Sequence, residues 1–590
     1  MVNKSNNIYK YLHFLNYTLK MIQGSKRLLL GLIIAMVLPT LVLAQSDTTQ
    51  TPVIKTAPND WYQLDREATG YYGISLDKAY QFLNGKPSRT VVVAVIDSGV
   101  DTLQPDLKPI LWHNPGEIPG NGIDDDHNGY IDDIYGWNFI GGKDGRNVHT
   151  DSYEAARVYW SLKDKFDNKT IDTTTMDAAQ KAEYATYLRA KNDVTNGIEP
   201  AQLMQMERML PVLEKGDSVI AKDLGKNEFT GGDLKDYTSE NPDAKIAAAI
   251  YLSMARANDN YNIANTEILQ YIRGQVRKGK AATTPPEDYR NEIVKDNPND
   301  INDRYYGNND VMAGTPSHGT HCSGIIAAVR DNNIGMNGIA DNVRIMMVRA
   351  VPDGDEHDKD IANAIRYAVD NGAEVISMSF GKPFSPQKSW VDDAVKYAQS
   401  KGVLLVHAAG NDANNIDSAE NYPSPVYLDN SGVARDFITV GASGDATNGG
   451  FTASFTNYGK KSVDVFSPGV NIYSTLPHDK FGNFSGTSMA APVVAGVAAL
   501  ILEYYPDLSA EQVKYAITHS VTPITEKVKL PGTEDSVHLA DISVFGGEIN
   551  AYNALKLAST LKGERKKGDN GYDKPDKKGK KHEKMKRKRA

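Results

Sequence analysis

Residues 91–101 read VVVAVIDSGVD. Six consecutive apolar residues, mostly β-branched, run into Asp97. A segment apolar at every position, and not at every second one, predicts a strand buried on both faces, as in a parallel sheet covered by helices. In open α/β sheets the carboxyl ends of such strands face the binding crevice. That position singles out Asp97. Further along, residues 344–351 read as a strand, 361–371 as a helix, 374–378 as a strand, 390–401 as a helix and 403–408 as a strand. Strand and helix alternating across short glycine turns predict a three-layer, doubly wound, mostly parallel α/β sheet.

Two more segments place a reactive side chain at the start of a helix. In SHGTHCSGIIAAV, His318 precedes a run of small and apolar residues; in FSGTSMAAPVVAGVAALIL, Ser488 opens a helix rich in Ala, Val and Gly. A serine hydroxyl becomes a nucleophile when an imidazole takes its proton, and a buried carboxylate fixes the imidazole's tautomer and stabilises its cation. A helix N-terminus at Ser488 adds N–H donors where an oxyanion would form. A fourth segment, HAAGND, ends a strand and offers the Asn411 amide as a side-chain donor.

The order Asp, His, Ser, within DSGVD, HGTHCSG and GTSMAAP and with AAGN between the last two, resembles the subtilisin-like serine proteases, or subtilases. The resemblance covers residues 70–143 and 295–556. It implies a serine endopeptidase acting on protein or peptide substrates through an acyl-enzyme. It assigns Asp97 as orienting carboxylate, His318 as general acid and base, Ser488 as nucleophile and Asn411 as oxyanion donor. It also implies that the strand holding Ser377, Ser379 and Gly381 pairs with the substrate backbone, and that Ala408, Ala409 and Gly410 line the primary specificity pocket. Small residues there leave room for large apolar side chains.

The chain departs from the family pattern in two ways. Asp97 and His318 stand 221 residues apart, because a polar stretch over 146–292 intervenes. Its apolar stripes, such as Ile246, Ile250 and Met254, recur at helical spacing and predict an inserted helical domain near the active-site rim. The catalytic domain is therefore expected in two parts, 61–145 and 293–556. Secondly, few residues separate Ala44 from Val91, whereas many relatives carry a longer folding propeptide there.

The loop NGIDDDHNGYIDD alternates hard oxygens around a glycine: Asp124, Asp126, Asn128, the Tyr130 carbonyl, then Asp132 or Asp133. This resembles the front half of an EF-hand, without its closing glutamate, and predicts a structural Ca²⁺. Asp106 matches a calcium-binding aspartate of some family members, and residues 331–333 more loosely another ligand loop. The only cysteine, Cys322, lies one helical turn after His318 and reads as a small buried filler.

The chain has 590 residues, 40% hydrophobic and 24% charged, the composition of a globular protein. A single cysteine excludes an internal disulfide framework. Its net charge of −9 is uneven, since residues 561–590 hold 14 Lys or Arg against 5 Asp or Glu. That tail is expected to be disordered, suited to contact with an anionic envelope surface, and lacks the aromatics of a dedicated nucleic-acid site. Residues 1–44 end in the apolar run 28–44 behind Lys26 and Arg27, a secretory signal peptide; a retained membrane anchor is the lesser alternative. The expected location is secreted, extracellular or periplasmic. The competing functions are a maturation protease with one narrow partner and a non-catalytic surface protein that retains the fold. Oligomeric state is left open.

Overall fold

The computed structural model describes residues 57–571, apart from 258–260, 262, 315 and 446–449. The expected signal peptide and most of the basic tail lie outside the described residues.

In chain order, β1 (Val91–Asp97), β2 (Gly136–Asn138), β3 (Val343–Arg349), β4 (Val375–Met378), β5 (Leu404–Ala408), β6 (Phe437–Ser443) and β7 (Val465–Pro468) form most of one sheet. After them come a separate hairpin of β8 (Ile472–Leu476) and β9 (Lys480–Phe484), then the edge strand β10 (Thr522–Pro523). A second hairpin of β11 (Lys527–Lys529) and β12 (Ser536–His538) precedes β13 (Gly547–Glu548). The nine-stranded sheet has the order β10-β13-β7-β6-β5-β4-β1-β3-β2. Every neighbouring pair is parallel except β10 with β13.

The helices of eight residues or more follow as α1 (Leu76–Leu83), then α2 (Glu154–Phe166), α3 (Ala178–Asn196), α4 (Pro200–Leu224), α5 (Pro242–Ala257) and α6 (Asn265–Lys280). The remainder are α7 (Ser317–Ala327), α8 (Asp358–Asp370), α9 (Lys388–Ser400), α10 (Thr487–Tyr504), α11 (Ala510–Thr518) and α12 (Ala551–Ala558). The two-residue period of a strand sorts β1 between the faces of the sheet. Val91, Val93 and Val95 join a core with α1, α7, α10, α11 and α12. Ala94 and Ile96 join a second core with α8 and α9. Burying each such side chain contributes about 2 kcal/mol, so both faces hold β1 in place. Helix α10 is apolar enough to cross a membrane, but 89% of it is buried inside the protein, as the core helix of a three-layer fold.

The strand expected over 344–351 stops at Arg349. The N–H groups of Ala350 and Val351 both donate to Asp97 O, at 3.0 and 3.3 Å, and wrap the chain over the end of β1.

The stretch between β2 and α7 is helical, from α2 to α6. Helices α4, α5 and α6 surround a core of their own around Leu213, Ile220, Tyr251, Met254 and Ile272. Helices α2 and α3 instead share a core with Phe384 of the main body. Its ends meet: Arg146 Nη2 donates to Glu292 O at 2.5 Å. The tail is ordered for longer than its composition predicts. Arg565 is 6% exposed, and its guanidinium lies 2.5 Å from the buried Glu374, which Arg89 holds from the other side.

Candidate active site

The carboxyl ends of the central strands β1, β4 and β5 and the starts of α7 and α10 converge at one end of the sheet. Helix α7 approaches closely because Gly319 has no side chain; a Cβ there would stand 2.2 Å from Gly99 O and 3.1 Å from the Asp97 Cβ. His318 is thereby laid against Asp97. Its Nδ1 is 2.8 and 2.9 Å from the two Asp97 oxygens, and Ser98 N donates to Asp97 Oδ1 at 2.7 Å. Asp97 is 2% exposed, whereas 38% of the His318 side chain stays open and can meet a substrate. Burial alone would depress the imidazolium, but the Asp97 carboxylate overrules it and holds His318 well above its usual value.

Ser488 occupies the first turn of α10. Its hydroxyl donates to Ser379 O at 3.1 Å. Its carbonyl accepts from Ser379 Oγ at 2.8 Å and from Cys322 Sγ at 3.4 Å. Cys322 is fully buried beneath His318 and Ser488, and burial pushes its thiol up. It packs as the small filler expected.

Asn411 follows β5. Thr487 N and Thr487 Oγ1 donate to Asn411 Oδ1 at 2.9 and 3.0 Å, which turns Nδ2 outward. A Cβ built on Gly486 would lie 3.5 Å from both Asn411 Nδ2 and Ser488 N, so two N–H donors face one spot. Thr487, inside the quoted serine motif, is the anchor that the motif did not reveal.

Ser377 departs from expectation. It sits within β4, 1% exposed, with β1 on one side and β5 on the other, so it cannot pair with a substrate backbone. The free edge begins after Met378: Ser379 is 5% exposed, and Gly381 lies on the surface. Ala408 and Ala409 are buried, and Gly410 N donates to Thr487 Oγ1 at 3.1 Å. Two amides missing from the sequence reading, Asn421 and Asn457, donate to Ala409 O at 3.0 and 2.9 Å. They hold the main chain at the end of β5 in place.

In the acidic loop, Asp124 accepts from Asn128 N and Gly129 N, at 3.0 and 2.9 Å. Glu117, Asp124 and Asp126 each offer an oxygen within 4.8 Å of the others. Glu117 was not legible because it precedes the alternating stretch. Two expected ligands are used otherwise. Asp132 accepts from the N–H groups of Gly120, Asn121 and Gly122, which shapes the loop. Asp133 accepts from Asn114, Asn128 and Tyr367 at 2.7, 3.1 and 2.6 Å. The Tyr130 ring is buried among Trp137, Phe139 and Tyr367, leaving its main chain to the loop. Asp106 is fully buried. Asn332 donates to its Oδ1 at 2.5 Å, and its Oδ2 has no hydrogen-bond partner. Burial pushes this carboxyl up.

The helical stretch meets the main body at several points. Glu228 pairs with Lys480 of β9 at 2.5 Å, and Arg189 of α3 pairs with Glu420 while stacking 4.2 Å over Phe384. Arg277 of α6 meets Asp353 at 3.1 Å. Glu267, near the start of α6, is pushed up to about 8 by burial and by Glu228, with His318 pulling the other way.

The model of the subtilase family matches residues 88–541. Thermitase from Thermoactinomyces vulgaris is 38% identical over 240 residues, 40% of this chain and 75% of that protein. Subtilisin DY from Bacillus licheniformis is 37% identical over 206 residues, covering 35% of this chain and 70% of its own. Among solved structures, that of the prenylagaramide maturation protease PagA aligns with a TM-score of 0.34 at 28% identity, over 41% of this chain and 82% of that one.

Proposed function

The chain belongs to the subtilase family of serine endopeptidases, and from that premise we propose an exported, calcium-stabilised enzyme whose nucleophile is Ser488. The observation that carries this reading is the two-oxygen grip of Asp97 on His318 Nδ1, at 2.8 and 2.9 Å.

Attack begins when rotation about the Ser488 Cα–Cβ bond turns its hydroxyl from Ser379 O to the imidazole. His318 accepts the proton as the Ser488 oxygen bonds to the peptide carbonyl carbon. The new imidazolium is stabilised by Asp97, and the oxyanion by Asn411 Nδ2 and Ser488 N–H. His318 then passes its proton to the leaving amine as the C–N bond breaks. Water, deprotonated by the same imidazole, hydrolyses the acyl-enzyme and restores the serine. The substrate backbone pairs with Ser379–Gly381, and its side chain before the scissile bond enters between Ala408–Gly410 and the Asn421 amide.

Calcium has a structural part in this reading. The residues present fit the ion at two places: the buried, unpartnered Asp106 Oδ2 beside Asn332, and the Glu117, Asp124 and Asp126 oxygens. At the first place Asp106, and at the second the buried Glu117 with the more open Asp124 and Asp126, would hold the ion, which would offset their charge and tie the loops together. Export follows from the basic-then-apolar leader over 1–44.

A fluorophosphonate probe should label the purified protein, and Ser488→Ala should abolish labelling. Labelling that persisted in that variant would move the nucleophile elsewhere.

A further inference from the structure

Arg349 closes β3, where it is the register partner of Asp97 on β1. It is 2% exposed, yet among the described residues its acceptors are all neutral. Its Nε–H is shared by Ser98 O and Ala313 O, both at 3.0 Å. Nη1 donates to Asn138 Oδ1 at 3.0 Å and Nη2 to Val148 O at 2.7 Å. A buried cation is costly unless it is hydrogen-bonded. Burial lowers this guanidinium to about 10, with Asp310 opposing, so it stays charged at neutral pH.

Two of the four acceptors flank the triad. Ser98 follows Asp97, and its N–H donates to Asp97 Oδ1 at 2.7 Å. Ala313 lies in the loop that leads into α7, just ahead of His318. The same two segments touch through the main chain, where Val100 N donates to Val311 O at 2.9 Å. Gly99 leaves room for that contact, since a Cβ there would stand 2.8 Å from Val311 O. A planar fork of N–H groups reaches several carbonyls in fixed directions, as neither a lysine ammonium nor an apolar side chain does. Asn138 and Val148 anchor the far side of the fork in β2 and the chain beyond it. The guanidinium thus fixes how far the segment carrying Asp97 stands from the segment carrying His318.

We propose that Arg349 is a positioning residue for the triad, its guanidinium clamping Ser98 O and Ala313 O so that Asp97 and His318 stay within hydrogen-bond reach. The inference rests on the reading of Asp97 as orienting carboxylate and His318 as base.

Arg349→Met keeps an apolar stem and removes the fork. On a chromogenic peptide kcat should fall about 10²-fold, the scale of a displacement near 1 Å, while KM holds. The pH profile tells positioning from charge. Burial works against the His318 imidazolium, and Asp97 on β1 with Cys322 on its own helix hold it up. His321 on that helix and Glu267 on α6 also lie in its field, and Asp310 and His149 face Arg349. None of these groups changes in the variant. Loss of a nearby positive charge would by itself raise the midpoint of the acid limb, whereas a loosened Asp97–His318 contact lowers it. The expected midpoint is lower. One that stays or rises, or a loss confined to KM, would overturn the proposal. In an Asp97→Asn background the same change should cost almost nothing further, because the contact it protects is gone; losses that multiply would also overturn it. Arg349→Lys keeps the charge with fewer directed donors and should show the same signature at smaller size, so the test stands if Arg349→Met misfolds. Titration of His318 by NMR in Ser488→Ala needs no turnover. A midpoint that falls on adding Arg349→Met supports the clamp even if the wild type hydrolyses no peptide, a result that would count against the enzyme reading alone. An unmoved midpoint overturns the clamp and leaves that reading standing.

Discussion

In the proposed mechanism the contact between Asp97 and His318 sets the pH at which His318 can act as base. The base must be neutral to accept the serine proton, and Asp97 holds its imidazolium well above the ordinary value near 6.5. The rise of kcat/KM with pH should therefore have its midpoint above 6.5, readable from a profile on a chromogenic peptide. Asp97→Asn removes that support. Its acid limb should move to lower pH, and kcat should fall by about 10⁴. The buried Cys322 thiol, 3.4 Å from Ser488 O, gives a second test. Mercuric ion should inhibit the wild type, and Cys322→Ala should resist. Asp97, His318, Ser488 and Asn411 could be singled out from the sequence because each sits in a short motif at an element's end. Thr487 and Asn421 were not, because their work depends on which atoms face them across the fold.

At the scale of elements, α7 is seated through missing side chains. A Cβ on Gly324 would come within 2.3 Å of Thr475 Oγ1 and 2.4 Å of Ser474 Oγ in β8. Gly324→Ala should thus push α7 from the β8–β9 hairpin and carry His318 with it. Overpacking of this kind costs about 1–3 kcal/mol; a lowered Tm with a larger loss in kcat than in KM would mark it. The docking of α6 is pH-sensitive in a definite direction. The folded protein keeps the Glu267 proton up to about 8, whereas an unfolded carboxyl releases it near 4.5. The contribution is present at low pH and lost as pH rises through that window. Hydrogen exchange at 264–269, corrected for intrinsic rate, should increase from pH 6 to 9 in the wild type and stay flat in Glu267→Gln. Element types were readable throughout the sheet, since full-length apolar runs and helical stripes are local signals. Ser377 was misplaced because nothing local distinguishes a strand's interior from its free edge. Glu117 was invisible because it precedes its loop.

For the whole molecule, chelation and truncation are the informative perturbations. Removing divalent cations should lower Tm, and Asp106→Asn should shrink that response. Cutting the chain after Gly571 should leave Tm unchanged. Cutting after Lys562 removes Arg565 from the buried Glu374; Arg89 still pairs with that carboxylate, so the loss should be about 1.5–3 kcal/mol, read as a lowered Tm. The basic tail therefore has a packed root, a boundary that composition could not reveal because charge counts do not show which arginine finds a buried partner.

The meeting of Arg146 with Glu292 has a topological consequence. Pairing β1 with β3 brings together residues 252 apart in sequence, a long excursion for an unfolded chain to close. Once α4–α6 have condensed on their own core and the two ends are stitched, the effective loop shrinks to roughly a hundred residues. The entropy of closing it changes by only about 0.8 kcal/mol, since that term grows with the logarithm of length. An ancestor could therefore have acquired α4–α6, which carry their own core, at almost no cost in chain entropy, whereas α2 and α3 are packed into the main body and would have to be kept in any exchange.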